Sequence, residues 1–325
     1  MVKRKPACAI EKGLPQVKGK KCSHCKAAAV IHLPYADRYL CKNHFFKHFE
    51  KSFYSTVGEF KMVRKGDKVA LALSGGKDSV TLLTMLVALK KKVPFELIAV
   101  TIDLGIGCDY NRTTMQLVAS ECKRLGVKHH MFKLKDDLGY TLDELVAKTD
   151  TKNPCSYCGV ARRYYLNIHA RELGADKLAI GHTLNDTAET VMMNVLRNEP
   201  QRLFRYNEHL VSDSRFVSRI KPFLRLPEDE VVAYGKLKQL PLLDKKCCPY
   251  SVFAFRKFVR LQLEEMEGRY PGTRFKVLNS FLSMQKMFKE LPETKQLQLS
   301  YCKTCREPSS TDYCKLCQLK EKLRS

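Results

Sequence analysis

Three groups of residues in this chain can do chemistry, and their spacing says which chemistry. The first is the turn Ser74-Gly75-Gly76-Lys77-Asp78-Ser79, set between the apolar run Val69–Leu73 and the apolar-periodic segment Val80–Leu89. A buried strand that breaks at two glycines and resumes as a helix offers unpaired N–H groups and a partial positive charge, which suits a phosphate. The second group is cysteines in C-x-x-C knuckles. Cys22 and Cys25 are followed by Cys41 and His44, and Cys302 and Cys305 by Cys314 and Cys317. Each foursome supplies the closed shell of soft or borderline ligands that tetrahedral zinc takes, so two structural zinc sites are predicted. His24, inside the first knuckle, is left out of its set. The third group is Cys155 and Cys158, with Cys247 and Cys248 much later in the chain. The C-x-x-C pair alone reads as a redox dithiol, half a zinc site or two core cysteines. A set of three thiolates suits a [4Fe–4S] cluster with one iron left open.

The glycine turn is not a Walker A loop, because the spacing is too short and Asp78 stands where a hydroxyl belongs. It resembles the PP-loop of the ATP pyrophosphatases. That resemblance implies cleavage of ATP between the α- and β-phosphates, release of pyrophosphate and adenylation of an acceptor oxygen.

The elements that must position these groups follow from hydrophobic period. Phe95–Asp103, Val127–Leu134 and Lys177–His182 read as strands, and Asn111–Leu125, Leu184–Leu196 and Glu228–Gln239 as helices. Strands alternating with helices predict an α/β fold with a doubly wound parallel sheet. Ligands bind beyond the strand C-termini in such sheets, so the glycine turn, Asp103 and Gly181-His182 are expected to meet there. Asp103 reads either as a nucleoside-binding edge or as a helix cap. Cys108 and Cys122 read as ordinary buried thiols. The chain is expected to divide into a basic arm (1–20), an N-terminal zinc finger (21–48) with a hairpin over Ala29–Leu40, and a linker helix (49–66). A PP-loop catalytic domain (67–292) and a C-terminal zinc ribbon or knuckle (293–325) follow.

Composition narrows the partners. The 325 residues carry a formal net charge of +24, and residues 1–66 hold fifteen Lys/Arg against four Asp/Glu. An excess of this size points to a polyanion, with nucleic acid first. Arg197–Arg225 interleaves Arg197, Arg202, Arg205, Arg215, Arg219, Lys221 and Arg225 with Phe204, Tyr206, Phe216 and Phe223, a pattern suited to RNA phosphates and bases. Arg256, Lys257 and Arg260 are expected to add charge close to the Cys155 site. No apolar stretch approaches a membrane span, and Met1-Val2-Lys3-Arg4-Lys5 has no apolar region behind it. A cytoplasmic protein with no membrane partner is expected. Fourteen cysteines in such a chain point to metals rather than disulfides.

Taken together, the motifs resemble the tRNA 2-thiouridine synthetases of the PP-loop superfamily, the TtuA and cytosolic thiouridylase branch. The similar stretches are Cys22–His44, Ser74–Ser79, Cys155-Ser156-Tyr157-Cys158-Gly159, Gly181-His182-x-x-x-Asp186, Cys248-Pro249-Tyr250, Pro271-Gly272-Thr273 and the last two cysteine pairs, in family order. The resemblance implies an adenine nucleotide alpha-hydrolase-like fold flanked by the two zinc modules. It implies ATP and Mg2+ held by Ala72, Ser74, Gly75, Gly76, Lys77, Asp78, Ser79, Asp103, Arg162, Gly181 and Asp186. It implies a [4Fe–4S] cluster on Cys155, Cys158 and a third cysteine, for which Cys248, followed by Pro249, matches better than Cys247. Catalytic roles then fall to Asp186, Cys155, Cys158, Cys248 and Arg162. The implied reaction adenylates the C2 oxygen of a tRNA uridine and replaces it with sulfur delivered through the cluster. The implied partners are tRNA, a ubiquitin-like sulfur carrier ending in a thiocarboxylate, and a second copy or a related subunit.

Two positions depart from the family pattern. Asn185 stands where the family usually has the first of two aspartates. Arg162 stands where many relatives have lysine; it keeps the charge but stays protonated and so cannot shuttle a proton. Thr187–Arg197 looks like the wobble-position enzymes, whereas Pro271–Thr273 and Pro308–Ser310 look more like TtuA. Position 34 is the expected target and position 54 the alternative. A non-catalytic tRNA-binding subunit and another PP-loop adenylase are the competing readings.

Overall fold

The computed structural model describes residues 17–107, 109–149, 151, 154–204, 215–242, 250, 255–289 and 300–324. The arm up to residue 16, Cys108, Arg205, Tyr206, Cys247 and Cys248 lie outside them. The described chain begins with a small hairpin, β1 (Ile31–Leu33) and β2 (Arg38–Leu40), antiparallel with Ile31 opposite Leu40. Helix α1 (Lys42–Glu59) follows at once, with Cys41 at its N-cap, so residue 48 lies inside it. Phe45, Phe49, Phe53 and Val57 recur every four residues on one face and are all buried. That stripe packs on the main body: the Phe49 ring stacks on Tyr234 at 4.2 Å and meets Phe223 edge-on at 6.0 Å. The hairpin, α1 and the sheet therefore share one core.

The main body runs β3 (Lys68–Ala72), α2 (Lys77–Lys90), β4 (Glu96–Asp103), α3 (Asp109–Arg124), β5 (Lys128–Lys133), α4 (Leu134–Leu138) and α5 (Leu142–Thr149). It continues with α6 (Pro154–Glu172), β6 (Lys177–Ala179), α7 (Leu184–Leu196), α8 (Pro200–Phe204), β7 (Ser218–Ile220) and α9 (Glu228–Leu237). Then come α10 (Phe255–Arg269), α11 (Thr273–Lys289), the short pair β8 (Ser300–Tyr301) and β9 (Pro308–Ser309), and α12 (Lys315–Arg324). The five central strands are all parallel, in the order β5-β4-β3-β6-β7. Residues alternate between faces. Val69, Leu71, Leu97 and Ala99 join the core with α1, α2, α3 and α9, while Ala70, Ile98, Val100 and Leu178 join that with α6. This is the doubly wound sheet expected from sequence, with strand order reversing between β3 and β6. Crevices open at that reversal, beyond the strand C-termini.

Helices α7, α10 and α11 form a separate layer, joined through Leu184, Val191, Leu278 and Phe281 and through Ala188, Val259 and Leu263. Glu189, 2 % exposed, is held there by Arg260 Nε at 2.6 Å and Arg256 Nη1 at 3.0 Å. Those two arginines therefore neutralise a buried carboxylate. A correction concerns Phe223, expected among the RNA-stacking rings. It is completely buried against Phe49 and Phe53, and Arg225 pairs with Glu59 at 2.7 Å. Apolar demand from the α1 stripe explains Phe223, and sequence interleaving alone does not reveal it.

Truncating a fully buried phenylalanine removes its transfer energy and leaves a cavity, about 3–5 kcal/mol in all. Phe49→Ala is expected to lower the denaturant midpoint accordingly, and to loosen the hairpin and the sheet together in hydrogen exchange.

Candidate active site and metal centres

Strand β3 delivers the glycine turn to the crevice. The Leu73 amide still donates to Val100 O at 2.9 Å, so the turn begins only at Ser74. Gly75 has φ +76°, and a Cβ there would lie 2.2 Å from Thr114 Cγ2, so no other residue fits. Gly76 caps α2, and Val80 N–H is the first to turn back, to Gly76 O at 3.1 Å. The first-turn amides of α2 thus face the crevice, an anion site by geometry and dipole. The Ser74 and Ser79 hydroxyls lie 3.3 Å apart at its edge.

Lys77 is gripped by two carboxylates, Asp78 Oδ2 at 3.0 Å and Glu228 Oε1 at 2.6 Å. Burial alone would lower its pKa, but Asp78 and Glu228 hold it above the ordinary lysine value. Burial pushes Asp78 up to about 6; Glu228 and Asp186 add to the rise and Lys77 opposes it. Among the described residues, Asp78 Oδ1 is a buried oxygen without a hydrogen-bond partner. An orphaned carboxylate oxygen beside an anion site fits a hard divalent cation carried in with phosphates. Sequence reasoning did not find Glu228, because nothing local announces a partner 151 residues from Lys77.

The loop after β6 closes the crevice from the other side. A Cβ on Gly181 would lie 3.2 Å from both Asp78 C and Ser79 N, so this loop and the PP-loop touch main chain to main chain. Asp186 forms a capping box with Thr183: its Oδ2 accepts from Thr183 N at 3.0 Å, and its own amide faces Thr183 Oγ1 at 3.4 Å. Its Oδ1 lies 3.7 Å from Arg256 and 3.9 Å from Arg260. Burial would raise Asp186, yet His182, the Thr183 amide and the two arginines hold it below the usual carboxylate range. Asp186 Oδ2 is spent on the loop, whereas its Oδ1 meets the arginines only beyond hydrogen-bond range, so Asp78 and Asp186 each keep an oxygen near the crevice. Asn185 accepts the Glu228 amide at 3.0 Å, which locks α9 to α7 behind Lys77. Asp103 Oδ1 accepts from Gly105 N at 2.8 Å in a tight turn after β4, while Ala72 ends β3 half-buried.

Cys155 lies in the first turn of α6, whose free amides and dipole favour negative charge, and Cys158 opens the second. Cys155 Sγ donates to Tyr250 O at 3.2 Å, and Tyr250 lies two residues along the chain from Cys248. Cys247 and Cys248 themselves lie outside the described residues. Arg162 is near enough to both Cys155 and His182 to influence the charge of each. The cysteine helix and the crevice are thus electrostatic neighbours. Two thiols at a helix start with a cation beside them fit an anionic iron–sulfur cluster.

The other two cysteine groups are each complete. Cys22, Cys25, Cys41 and His44 bring their ligand atoms within 4.8 Å of one another, as do Cys302, Cys305, Cys314 and Cys317. Zn–S bonds of about 2.3 Å imply tetrahedral S–S edges of about 3.8 Å. Cys25–Cys41 measures 3.8 Å and Cys305–Cys314 3.7 Å, so both shells fit such an ion. His24 stands outside the first group and gives its amide to Cys22 Sγ at 3.4 Å. A polar linkage also ties the first module to α9. Glu230, 2 % exposed, accepts from Tyr35 Oη at 2.6 Å and lies 3.3 Å from His48 Nε2.

Comparison with known proteins agrees with this geometry. Residues 45–266 match the PP-loop domain family, and residues 21–46 match the N-terminal LIM domain of the 2-thiouridine synthetase TtuA. The chain is 33% identical over 298 residues to the tRNA-5-methyluridine(54) 2-sulfurtransferase of Pyrococcus horikoshii, spanning 92% of this chain and 93% of that one. It is 32% identical to the cytoplasmic tRNA 2-thiolation protein 1 of Chlamydomonas reinhardtii, over 93% and 84% of the two chains. The solved U34-tRNA thiolase NcsA of Methanococcus maripaludis, with its [4Fe–4S] cluster, superposes with a TM-score of 0.80 at 32% identity, over 93% of this chain and 95% of that one. With the phosphate-binding turn, the crevice beside it and both cysteine shells in place, the chain belongs to the tRNA 2-thiouridine synthetases of the PP-loop superfamily.

Proposed function

We propose that this chain is an ATP-dependent tRNA-uridine 2-sulfurtransferase acting at wobble position 34. The observation that carries the proposal is the glycine turn itself: Gly75 admits no side chain, Lys77 stands at the α2 N-terminus, and Gly181 closes the crevice against the backbone of Asp78 and Ser79. ATP phosphates rest on the α2 amides and Lys77, and Asp78 Oδ1 turns to the accompanying Mg2+. The uridine C2 oxygen attacks the α-phosphorus and the bond to the β-phosphate breaks, releasing pyrophosphate. A sulfur nucleophile then adds at C2 and AMP departs with the original oxygen. Arg162, always protonated, steadies negative charge in that exchange and moves no proton.

Cys155, Cys158 and Cys248 would hold the [4Fe–4S] cluster. Held by three thiolates, it supplies Lewis-acid capacity at the one iron the protein leaves open. Zinc in the two complete shells stiffens the modules at either end of a catalytic body spanning residues 67–292. The sulfur source in this reading is a ubiquitin-like thiocarboxylate carrier, and the assembly is a dimer with a second copy or a related subunit. The location is cytoplasmic, as in the name of the Chlamydomonas relative; none of the described helices is long and apolar enough to cross a membrane.

Position 34 is favoured by the likeness to the U34 thiolase, and position 54 by the likeness to the Pyrococcus enzyme. Mass spectrometry of tRNA from cells with and without this chain distinguishes the two. A parent protein without ATP-dependent pyrophosphate release would be a non-catalytic tRNA-binding subunit.

Three outcomes are expected. Cys155→Ser should lose iron and tRNA thiolation while zinc content and ATP binding stay at parent levels; full thiolation would remove Cys155 from the mechanism. Gly181→Ala should raise the ATP dissociation constant about 10–100-fold by calorimetry, because its methyl group must push the two loops apart. Asp78, with its pKa near 6, is protonated at about pH 5 and ionised by about pH 7. Pyrophosphate release should therefore climb through that interval, and Asp78→Asn should be low and flat across it.

A further inference from the structure

The C-terminal cysteine group lies on the flank of the helix that carries Cys155 and Cys158. Cys158, Ala161 and Tyr165 fall three and four residues apart, so they share one face of α6. Leu316, Leu319 and Leu323 of α12, exposed by only 1 %, 3 % and 3 %, form one apolar cluster with buried Ala161 and Tyr165. Cys158, Tyr157 and Tyr250 pack against the same cluster. The metal shell adjoins it as well: Cys314 and Tyr164 pack against this same cluster, and Cys317 lies one residue from Leu316 on α12. At the far end of α6, Arg171 makes a two-pronged pair with Glu307 at 2.7 and 3.0 Å. Lys148 of α5 donates to the Leu323 carbonyl. The apolar face of α12 is thus spent on α6.

We propose that the C-terminal module is a positioning device for the cysteine pair, with Leu319 and its neighbours on α12 as positioning residues. The four-cysteine shell fixes α12, α12 fixes the rotation of α6, and that rotation fixes where Cys158 presents its sulfur. Metal–ligand distances hold within about 0.2 Å, so a small turn of α6 is enough to lose a ligand. The proposal rests on the reading of Cys155 and Cys158 as cluster ligands. It is independent of the ATP turn, which stands on β3 and α2.

The test uses the full chain, purified without oxygen, in parent, Leu319→Ala, Leu319→Met and Cys317→Ser forms. Iron and sulfide content, visible absorbance and its decay in air are read, with the ATP dissociation constant as the control for folding. Leu319→Ala should lose its absorbance about tenfold faster than the parent, the scale on which supporting residues act on metal sites, with ATP affinity unchanged. Leu319→Met, which refills the volume, should restore the parent rate. Cys317→Ser should lose one zinc and show the same fast decay. Decay at the parent rate in both Leu319→Ala and Cys317→Ser overturns the proposal, as does equal loss in Leu319→Met. Should Leu319→Ala fail to bind ATP, Glu307→Gln takes its place with the same expectation. A parent without iron defeats the cluster reading, and iodoacetamide labelling then decides the positioning. Faster labelling of Cys158 in Leu319→Ala supports it, and equal rates overturn it.

Discussion

The approach of Gly181 to the backbone of Asp78 and Ser79 is the constraint on which the rest of the site depends. Two loops leaving neighbouring parallel strands can meet this closely only where the sheet changes direction and one of them has no side chain. The contact sets the width of the crevice. It also sets which groups can look into it: the α2 amides from one side, and His182 with the Thr183–Asp186 box from the other.

Charge within the crevice is arranged as a balance. One ammonium, Lys77, lies between two carboxylates, and a third carboxylate, Asp186, is shared by its own helix cap and two arginines. The arginines in turn neutralise Glu189, an acid that could not otherwise lie buried between α7 and α10. The layer of α7, α10 and α11 is therefore more than a lid on the sheet. It supplies the positive charge that keeps Asp186 ionised at the mouth of the site. Lys77 spends two of its three donors on Asp78 and Glu228 and keeps a third for phosphate.

Much of this was legible in the sequence. Leu184–Leu196 was bounded correctly by its apolar period, the hairpin by its cysteine knuckles, and the parallel sheet by strands that read as continuous apolar runs. The glycine turn and both complete cysteine shells announced themselves by local spacing, since four ligands within a few tens of residues leave little freedom. What could not be read was partnership across long separations. Glu228 with Lys77, Glu230 with Tyr35 and Glu189 with Arg260 each join residues at least seventy positions apart, and an acid on a helix looks solvated until its neighbour is known. Phe223 misled for the same reason, because a ring between arginines looks like a stacking platform unless the α1 stripe is known to cover it. Asp186 shows a different case: Thr183-x-x-Asp186 is a cap legible in the sequence at the same residue that the motif marks for chemistry.

The α1 stripe and the Tyr35–Glu230–His48 linkage bear on how such a chain can be taken apart. A cut anywhere between the hairpin and β3 would leave an open trough where Phe45, Phe49 and Phe53 had lain, and would strand a carboxylate inside it without a phenol or imidazole to answer. Exchange of the first finger for an unrelated one meets the same obstacle, since the newcomer must bring an aromatic ridge and two polar groups at matching heights. This end of the protein therefore folds as one body with the sheet it leans on, and a change on either side of the seam asks for a matching change on the other.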